Sequence, residues 1–331
     1  MKSSSIHNQP KRLASSEQRA ERFSSVLQAL LVILSLSIAM EAQIRFGGGA
    51  NQQIATPEEW QTVEKAIGKN GSMQPGDVFK IGLPRTDLEV TVRGVPINPV
   101  LALGSWVAFK RTGTMAMVMG DLVLTEAEVG PVMWSLQQDG IEQTALHNHV
   151  LDESPRIMYM HISGHGDALK LAKAIRHALS YTKTPLEGRP TATTLKRRAL
   201  EQLDMHKVEQ ALGRSGKENG GVYQFSIPRA EKIMDGEIEV PPSMGVATAI
   251  NFQPTGGGRA AITGDFVLIA TEVNPVIRAL RENEIAVTAL HSHMLFESPR
   301  LFFMHFWAND DAVKLARGLR SALDKTNAAP H

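Results

Sequence analysis

The chain has 331 residues, a formal net charge of +1 and no cysteine, and 43% of its residues are apolar and 21% charged. These numbers are typical of a globular protein long enough for two domains, and they exclude a dominant nucleic-acid surface, which needs clustered Lys and Arg. The lack of cysteine excludes disulfides, thiolate metal ligands, thiol catalysis and a lipid anchor on an N-terminal cysteine.

The N-terminal segment has the pattern of a secretory signal. Basic residues from Lys2 to Arg22 precede an apolar run from Val26 to Met40, and small residues lead from this run to three glycines. The run has about 15 residues, whereas a membrane-spanning helix needs about 20. We therefore predict that residues 1–42 are a signal peptide and that the protein is exported, to the periplasm or outside the cell. An uncleaved membrane anchor is the alternative, and it would be the protein's contact with a membrane.

The remaining chain contains one internal duplication. The segment ALHNHVLDESPR at 145–156 returns as ALHSHMLFESPR at 289–300, and GDLVL at 120–124 returns as GDFVL at 264–268. The offset of 144 residues is too long for the repeat unit of a solenoid. The duplication predicts repeat 1 at residues 55–182, a linker at 183–203 and repeat 2 at 204–325.

The predicted elements of repeat 1 alternate between helices and groups of strands. The last helix carries Ala168, Leu171, Ile175 and Leu179 at helical spacing, which gives it one apolar face. A strand–helix–strand–strand–helix order is most of a split βαβ, ferredoxin-like arrangement. We predict an α+β fold of two such repeats, each with an antiparallel or mixed sheet and helices on one face. The predicted elements are helix 57–68, strands 78–83, 89–93, 105–110 and 115–124, helix 126–139, strands 143–150 and 156–163, and helix 167–181.

A cluster of histidines follows the second helix of each repeat. His147 and His149 point the same way if both lie in a strand, because side chains alternate between the two faces. A hairpin centred near Ser154 places His161 opposite His147, and Glu153 lies in the connecting loop. Repeat 2 has the same residues at His291, His293, Glu297 and His305. The spacing predicts that each repeat brings three imidazoles and one carboxylate together.

Three imidazoles and a carboxylate are suitable ligands for a divalent transition metal such as Zn, Mn or Fe. The six histidines are the predicted metal ligands, and Glu153 and Glu297 are the predicted fourth ligands or general bases. Two other interpretations remain open at this point: a polar structural network and an acid–base site without metal. The metal interpretation is favoured because these residues recur in both repeats while their neighbours differ.

Three weaker features accompany the cluster. Arg156 and Arg300 follow the loop prolines, where they would bind an anionic substrate group or pair with the loop glutamates. Asp121 and Asp265 each follow a glycine, and we expect them in turns. His165 has Asn309 at its equivalent position and is therefore a poor candidate for a ligand that both repeats share.

The paired LHxHxLxESPRxxxxH segments, the GD-[LF]-VL strands and the duplication resemble the LppY/LpqO family of exported bacterial proteins, which carry a domain of unknown function. The resemblance covers about residues 55–325. It implies export and duplication, but it implies no reaction, substrate or catalytic residue. Some members are lipoproteins, and this chain differs from them because it has no cysteine to acylate.

Together these patterns predict an exported metal-binding protein that acts as a metalloenzyme of the hydrolase or lyase type, with metal-activated water in each repeat. The substrate would be an unidentified small molecule, and no nucleic-acid partner is expected. The alternative is a non-catalytic ligand-binding or structural protein, in which the His/Glu clusters stabilise the fold.

Overall fold

The structure, a computed structural model, describes residues 57–186 and 203–330. The predicted signal peptide and most of the predicted linker lie outside these residues. No helix in the described part combines the length and the apolar character that crossing a membrane requires.

Repeat 1 forms one large antiparallel sheet, one small sheet and four helices. Its helix α1 ends at Gly68, which has the left-handed backbone (φ 83°) that glycine adopts readily and donates to Glu64 O. The elements are α1 (Glu58–Ile67), β1 (Ser72–Gln74), β2 (Val78–Pro84), β3 (Thr91–Val92), β4 (Val95–Pro96), α2 (Pro99–Ala102), β5 (Gly104–Thr112), β6 (Met115–Thr125), α3 (Glu126–Gln138), β7 (Glu142–His147), β8 (Glu153–Ser154), β9 (Ile157–Gly166) and α4 (Ala168–Leu179).

Repeat 2 follows the same order, with a short 3₁₀ turn at Pro242–Met244 in the place of α2. Its elements are α5 (Met205–Leu212), β10 (Lys217–Asn219), β11 (Val222–Ile227), β12 (Ile233–Asp235), β13 (Ile238–Val240), β14 (Thr248–Gly256), β15 (Arg259–Leu268), α6 (Ala270–Glu282), β16 (Ala286–His291), β17 (Glu297–Ser298), β18 (Phe302–Asp311) and α7 (Ala312–Leu323).

The strand order of the large sheets confirms the α+β prediction. Repeat 1 has the order β1-β2-β5-β6-β9-β7, and repeat 2 has the equivalent order β10-β11-β14-β15-β18-β16. Because β6 and β7 both pair antiparallel with β9, they run parallel to each other and are joined by α3. This is a split βαβ unit. Strand β5 precedes this unit in the chain and pairs with β6 on the side away from β9.

The sequence predicted the long elements better than the short ones. The predicted strand 143–150 is wrong at its end, since β7 stops at His147. The predicted strand 89–93 is reduced to the two residues of β3, which pairs with β4 and β8 in the small sheet. Four short elements were not predicted from the sequence: β1, β4, α2 and β8.

One face of each large sheet packs against helices. In β6, Val118, Leu122 and Leu124 lie in the same apolar core as α1, α3 and α4. The four residues of the predicted stripe on α4 are all buried, as expected from their helical spacing. An equivalent core underlies α5, α6 and α7 in repeat 2.

The other face of each large sheet packs against the opposite repeat. Val78, Met117 and Met119 of repeat 1 share a core with residues of β12, β13 and β18. In the reverse direction, Ala261 and Trp307 of repeat 2 share a core with residues of β3 and β9. The small sheet of each repeat thus covers the large sheet of the other. Every second residue of the central strands faces this interface between the repeats.

A buried arginine closes the end of each large sheet. Arg85 donates to both carboxylate oxygens of Asp87 and of Glu128 and to the carbonyl of Val123. Arg229 makes the equivalent bonds to Glu231, Glu272 and Val267 in repeat 2. A buried guanidinium is tolerated because its donors are met by two carboxylates and a carbonyl.

Candidate metal centre

Strand register positions two histidines of repeat 1 side by side. Ala145 lies opposite His161, and His147 lies opposite Tyr159. The predicted pairing of His161 with His147 is therefore wrong by two residues. An even shift keeps side chains on the same face, so both histidines still point into the interface between the repeats. Their ring centroids are 5.1 Å apart.

The third histidine of each set lies beyond the strand. His149 is in a bend after β7, and its ring stacks on Tyr159 with centroids 3.3 Å apart. His293 occupies the equivalent bend in repeat 2 and stacks on Phe303 at 3.6 Å. Stacking on an aromatic ring of β9 or β18 thus positions His149 and His293. The prediction that alternation along a strand positions them is wrong.

The two sets of three histidines meet across the interface. The ring of His147 lies 3.5 Å from that of His291, and the centroid distances of two further pairs, His149–His305 and His161–His293, are 3.8 and 3.6 Å. The residues of repeat 2 that are equivalent to His147, His149 and His161 are His291, His293 and His305. Replacing each residue by its equivalent turns the pair His149–His305 into the pair His293–His161. The six histidines therefore form one cluster with approximate two-fold symmetry, to which both repeats contribute equally.

Two groups within the cluster have ligand atoms close enough to share an ion. In each group the nitrogens lie within 4.8 Å of one another. Two nitrogens on opposite sides of one ion, each at about 2.1 Å, lie about 4.2 Å apart, so small movements would close either group around a metal. The groups are His147, His149 and His161, and His147, His291, His293 and His305.

Five ring nitrogens of the cluster are buried and have no hydrogen-bond partner among the residues that the structure describes. Buried atoms without a hydrogen bond include Nε2 of His147, His149, His161 and His305 and Nδ1 of His291. His305 donates from Nδ1 to the carbonyl of Gly264 at 2.9 Å, which leaves Nε2 as the unprotonated nitrogen of the neutral ring. Buried polar atoms are normally hydrogen-bonded, and these lone pairs are therefore available to a cation.

Burial keeps the imidazoles neutral. Desolvation lowers the pKa of His147 to about 4 and that of His291 to about 3. The pKa values of the other four histidines lie well below the ordinary value, again mainly through burial and then through the neighbouring imidazoles. At neutral pH the cluster offers lone pairs rather than positive charges.

Two aspartates complete the surroundings of the histidines. Asp121 lies opposite His161 in the β6/β9 pair, and Asp265 lies opposite His305 in the β15/β18 pair. Both are therefore within strands, and the prediction that they lie in turns is wrong. Burial raises the pKa of Asp121 to about 7, and burial together with the charge of Asp121 raises the pKa of Asp265 well above its ordinary value.

The loop glutamates have a different position. Glu153 and Glu297 lie in β8 and β17 and, like Asp121 and Asp265, are absent from both groups of clustered ligand atoms among the described residues. Oε1 of Glu153 accepts from the Ile157 amide at 3.0 Å, and its Oε2 is buried without a partner. Burial raises the pKa of Glu153 to about 7. Glu297 accepts in the same way from Leu301.

The loop arginines are exposed. Arg300 pairs with Glu297 at 3.2 Å and donates to the carbonyl of Leu295, which fixes it to its own loop. The charge of Arg156 acts on Glu153 in repeat 1. Both arginines remain predicted anion-binding residues.

A cavity of about 230 Å³ lies close to the cluster. Met119 and Ser163 in its wall are two residues from Asp121 and His161, on the same faces of β6 and β9, and therefore about 7 Å along the strands from them. The position equivalent to Ser163 is Trp307, which is buried in the core between the repeats. The other lining residues are Glu142, Thr144, His165, Asp235, Met294, Leu295 and Phe296.

Comparison with protein families shows the same domain in both halves. The profile of a Domain of Unknown Function (DUF1259) matches residues 61–181 and 206–325. The chain belongs to this family. The two DUF1259 domains coincide with the two structural repeats and account for more than half of the chain. The LppY/LpqO name given by resemblance stays a prediction.

Other comparisons add little to the DUF1259 assignment. No curated protein matches this sequence. A trimeric bacterial microcompartment shell protein, PduB, is 13% identical, covers 75% of this chain and 86% of its own, and has a TM-score of 0.18. EtuB from Clostridium kluyveri is 9% identical, covers 77% of this chain and 90% of its own, and has a TM-score of 0.19. At such TM-scores the likeness supports no conclusion about this chain.

Proposed function

We propose that this protein is an exported metal-binding protein, and that the six histidines hold a divalent transition metal such as Zn, Mn or Fe between the two repeats. One observation carries the proposal: six neutral imidazoles converge, and five of their buried ring nitrogens have no hydrogen-bond partner within the described part of the chain. Leaving so many buried polar atoms unpaired costs about 1–3 kcal/mol each, and a metal ion would remove that cost.

The distance between two of the imidazoles also supports a metal. Nε2 of His291 lies 2.9 Å from Nε2 of His293, so one neutral ring donates a hydrogen bond to the other when no ion is bound. Two nitrogens bound to one ion at right angles, each at about 2.1 Å, lie about 3.0 Å apart. These two nitrogens have the separation of neighbouring ligands on one ion.

We propose further that the protein is a hydrolase or lyase. A bound divalent ion would supply Lewis-acid activation of a water molecule. The cavity lined by Ser163 and Met119 is large enough for a small substrate, and these two residues lie about 7 Å along the strands from His161 and Asp121. Glu153, with a pKa near 7 and an unpaired Oε2, is the proposed general base, and Arg156 and Arg300 are proposed to bind an anionic group of the substrate.

A non-catalytic role is the second candidate, because the cluster lies where the repeats meet. Three pairs of rings with centroids 3.5, 3.8 and 3.6 Å apart join one repeat to the other, and Thr288 donates to the carbonyl of His149 across the same interface. An ion bound there would hold the two sheets together and contribute directly to stability.

Export is proposed from the sequence of residues 1–42, which carry the basic, apolar and small-residue pattern of a signal peptide. Removal of the predicted signal peptide can be measured directly. N-terminal sequencing of the protein recovered from the periplasm or medium is expected to start near residue 43. Recovery of uncleaved protein with the membranes would support the anchor instead.

Elemental analysis of purified protein tests the metal proposal. We expect bound transition metal in the wild type and its loss in the double variant His147→Ala/His291→Ala. His177→Ala is the matched control, because His177 is exposed on α4 and pairs with Asp139 at 2.8 Å. Metal content that is absent from the wild type, or unchanged in the double variant, contradicts the proposal.

Turnover separates the two candidate roles once metal is found. Metal-loaded and chelator-treated proteins are compared with p-nitrophenyl acetate and p-nitrophenyl phosphate as probes of hydrolysis. Turnover that requires the metal and is lost in the double histidine variant supports the enzyme. A large loss of melting temperature on chelation, without turnover of either probe, supports the stabilising role.

A further inference from the structure

We propose that the cluster binds two metal ions, one in the histidine set of each repeat, and that Asp121 and Asp265 are their carboxylate ligands. The inference rests on the proposed function in one respect only, namely that a metal is bound at the cluster. It replaces the loop glutamates by strand aspartates in the ligand set, and it sets the number of ions.

Strand register gives each repeat its own aspartate. Asp121 lies directly opposite His161 on neighbouring strands, and Asp265 lies directly opposite His305 in the same way. Side chains of directly opposed residues lie on the same face of a sheet. Each repeat therefore presents three imidazoles and one carboxylate to the interface, which is the ligand type that the sequence predicted with a different acid.

The distances fit a shared ion better than a hydrogen bond. His161 Nε2 lies 3.9 Å from Asp121 Oδ1, and His305 Nε2 lies 3.9 Å from Asp265 Oδ1. His293 Nε2 lies 3.8 Å from Asp265 Oδ2. Hydrogen bonds of this kind need about 3.2 Å or less, whereas two ligands of one ion lie between about 3.0 and 4.2 Å apart.

Both carboxylates are short of partners. Oδ1 of Asp121 and Oδ1 of Asp265 are buried without a hydrogen bond, as are the Nε2 atoms of His161 and His305 that face them. Asp121 is 8% exposed and His161 is 5% exposed. Buried polar atoms that face one another without a hydrogen bond are costly, and a cation bound between them would remove that cost. The same arrangement occurs at both symmetry-related positions.

The loop glutamates are occupied elsewhere. Oε1 of each glutamate accepts from an amide four residues later, and Glu297 also pairs with Arg300. These bonds close the loop between β8 and β9 and the equivalent loop in repeat 2. Glu153 and Glu297 therefore serve the fold of the loop in this assignment, and Oε2 of Glu153 remains available as a base.

The number of candidate ligands is larger than one ion binds. Six imidazoles and two carboxylates give eight donors, whereas a transition metal takes about four to six. The clustered nitrogens also divide into two groups that have only His147 in common. Two ions in one site at a separation of about 3.5–4 Å are a known arrangement for clamping a substrate oxygen from both sides. The close contact of the two sets across the interface is compatible with such a separation.

The test is the ratio of metal to protein, measured by elemental analysis after loading with excess Mn²⁺ or Zn²⁺ and removal of free ion. We expect two equivalents in the wild type and in the control Glu153→Gln/Glu297→Gln. We expect a loss of one equivalent or more in Asp121→Asn/Asp265→Asn. Asn has the size of Asp and is neutral, so this variant should retain its fold, and circular dichroism checks that it does.

Electron paramagnetic resonance of the Mn²⁺-loaded protein provides a second readout. Two neighbouring Mn²⁺ ions should give the broadened, coupled spectrum of a pair rather than the six-line spectrum of an isolated ion. A single equivalent with an uncoupled spectrum, or two equivalents retained in the aspartate variant, overturns the inference and leaves the proposed function intact. An absence of metal from every protein overturns the proposed function itself.

Discussion

Replacing His147 by Asn should change how the stability of the metal-free protein depends on pH. Burial lowers the pKa of His147 to about 4 in the folded protein, whereas an imidazole in the unfolded chain has its ordinary value near 6.5. Between these values the unfolded chain binds a proton that the folded protein does not. The free energy of unfolding contributed by this residue therefore falls as the pH drops from 6.5 towards 4.

The magnitude follows from the two pKa values. At pH 5.0 the proton taken up by the unfolded imidazole lowers the free energy of unfolding by about 2 kcal/mol relative to pH 7.5. Asp121 and Glu153 act in the opposite direction, because their raised pKa values make the folded protein bind protons in the same window. These carboxylates are present in both proteins, so their contributions cancel in the difference between wild type and variant.

Urea denaturation of chelator-treated protein at pH 7.5, 6.5, 5.5 and 5.0 measures this difference. The wild type should lose about 2 kcal/mol more than His147→Asn over the range. His177→Asn, which changes an exposed imidazole, controls for the loss of any histidine. Parallel curves for wild type and His147→Asn would refute the conclusion that this ring is held neutral in the cluster.

Three further outcomes follow from the structure. Ser163→Trp gives repeat 1 the residue that repeat 2 has at the equivalent position. The new side chain should fill the cavity and abolish turnover, while metal content stays at the wild-type value. Turnover that persists would show that the cavity is not the substrate site. Gly264→Ala should be strongly destabilising, because its Cβ would lie 1.9 Å from Ala249 O. In Gly82→Ala the new Cβ meets no described atom within 4 Å, so the free energy of unfolding should change little. Equal melting temperatures of the two variants would contradict this. Arg85→Ala should lower the free energy of unfolding by about 3–5 kcal/mol, because it leaves two carboxylates without their buried partner. A change below about 1 kcal/mol in denaturation experiments would contradict the stabilising role of Arg85.

The fold was largely predictable because long apolar elements follow simple periodicities. The stripe on α4 gave the helical face that is buried against the sheet, and the duplicated segments gave two repeats of the same order. The short strands β4 and β8 were not predictable in this way, and β3 was predicted only as part of a longer strand, since two residues carry no periodicity. Their pairing depends on contacts made far along the chain, such as that of Val92 with Glu153.

The histidines of the site were predictable, but the way they meet was not. Spacing identified all six, whereas the contact of His147 with His291 depends on how two folded sheets pack together, which no local pattern encodes. The hairpin register was wrong by two residues because the loop after His147 leaves the sheet to form β8. The error is an even number of residues, so His147 and His161 still lie on the same face of the sheet.

The aspartates could have been found from one signal. Asp121 is the only charged residue among the eleven residues of β6, and an acid inside such an apolar run is either costly or functional. The preceding glycine suggested a turn instead. The structure gives Gly120 another reason, since a Cβ there would lie 2.9 Å from the carbonyl of Trp106 on the neighbouring strand.

An anomalous diffraction experiment at the absorption edge of the bound metal tests the central claim most directly. Crystals of the full mature protein, loaded with Zn²⁺ or Mn²⁺ and washed free of excess ion, would be measured above and below the edge. The account predicts anomalous density enclosed by the six histidines at the interface between the repeats, within about 2.0–2.2 Å of their ring nitrogens. Well-ordered histidines with no anomalous density among them would contradict it.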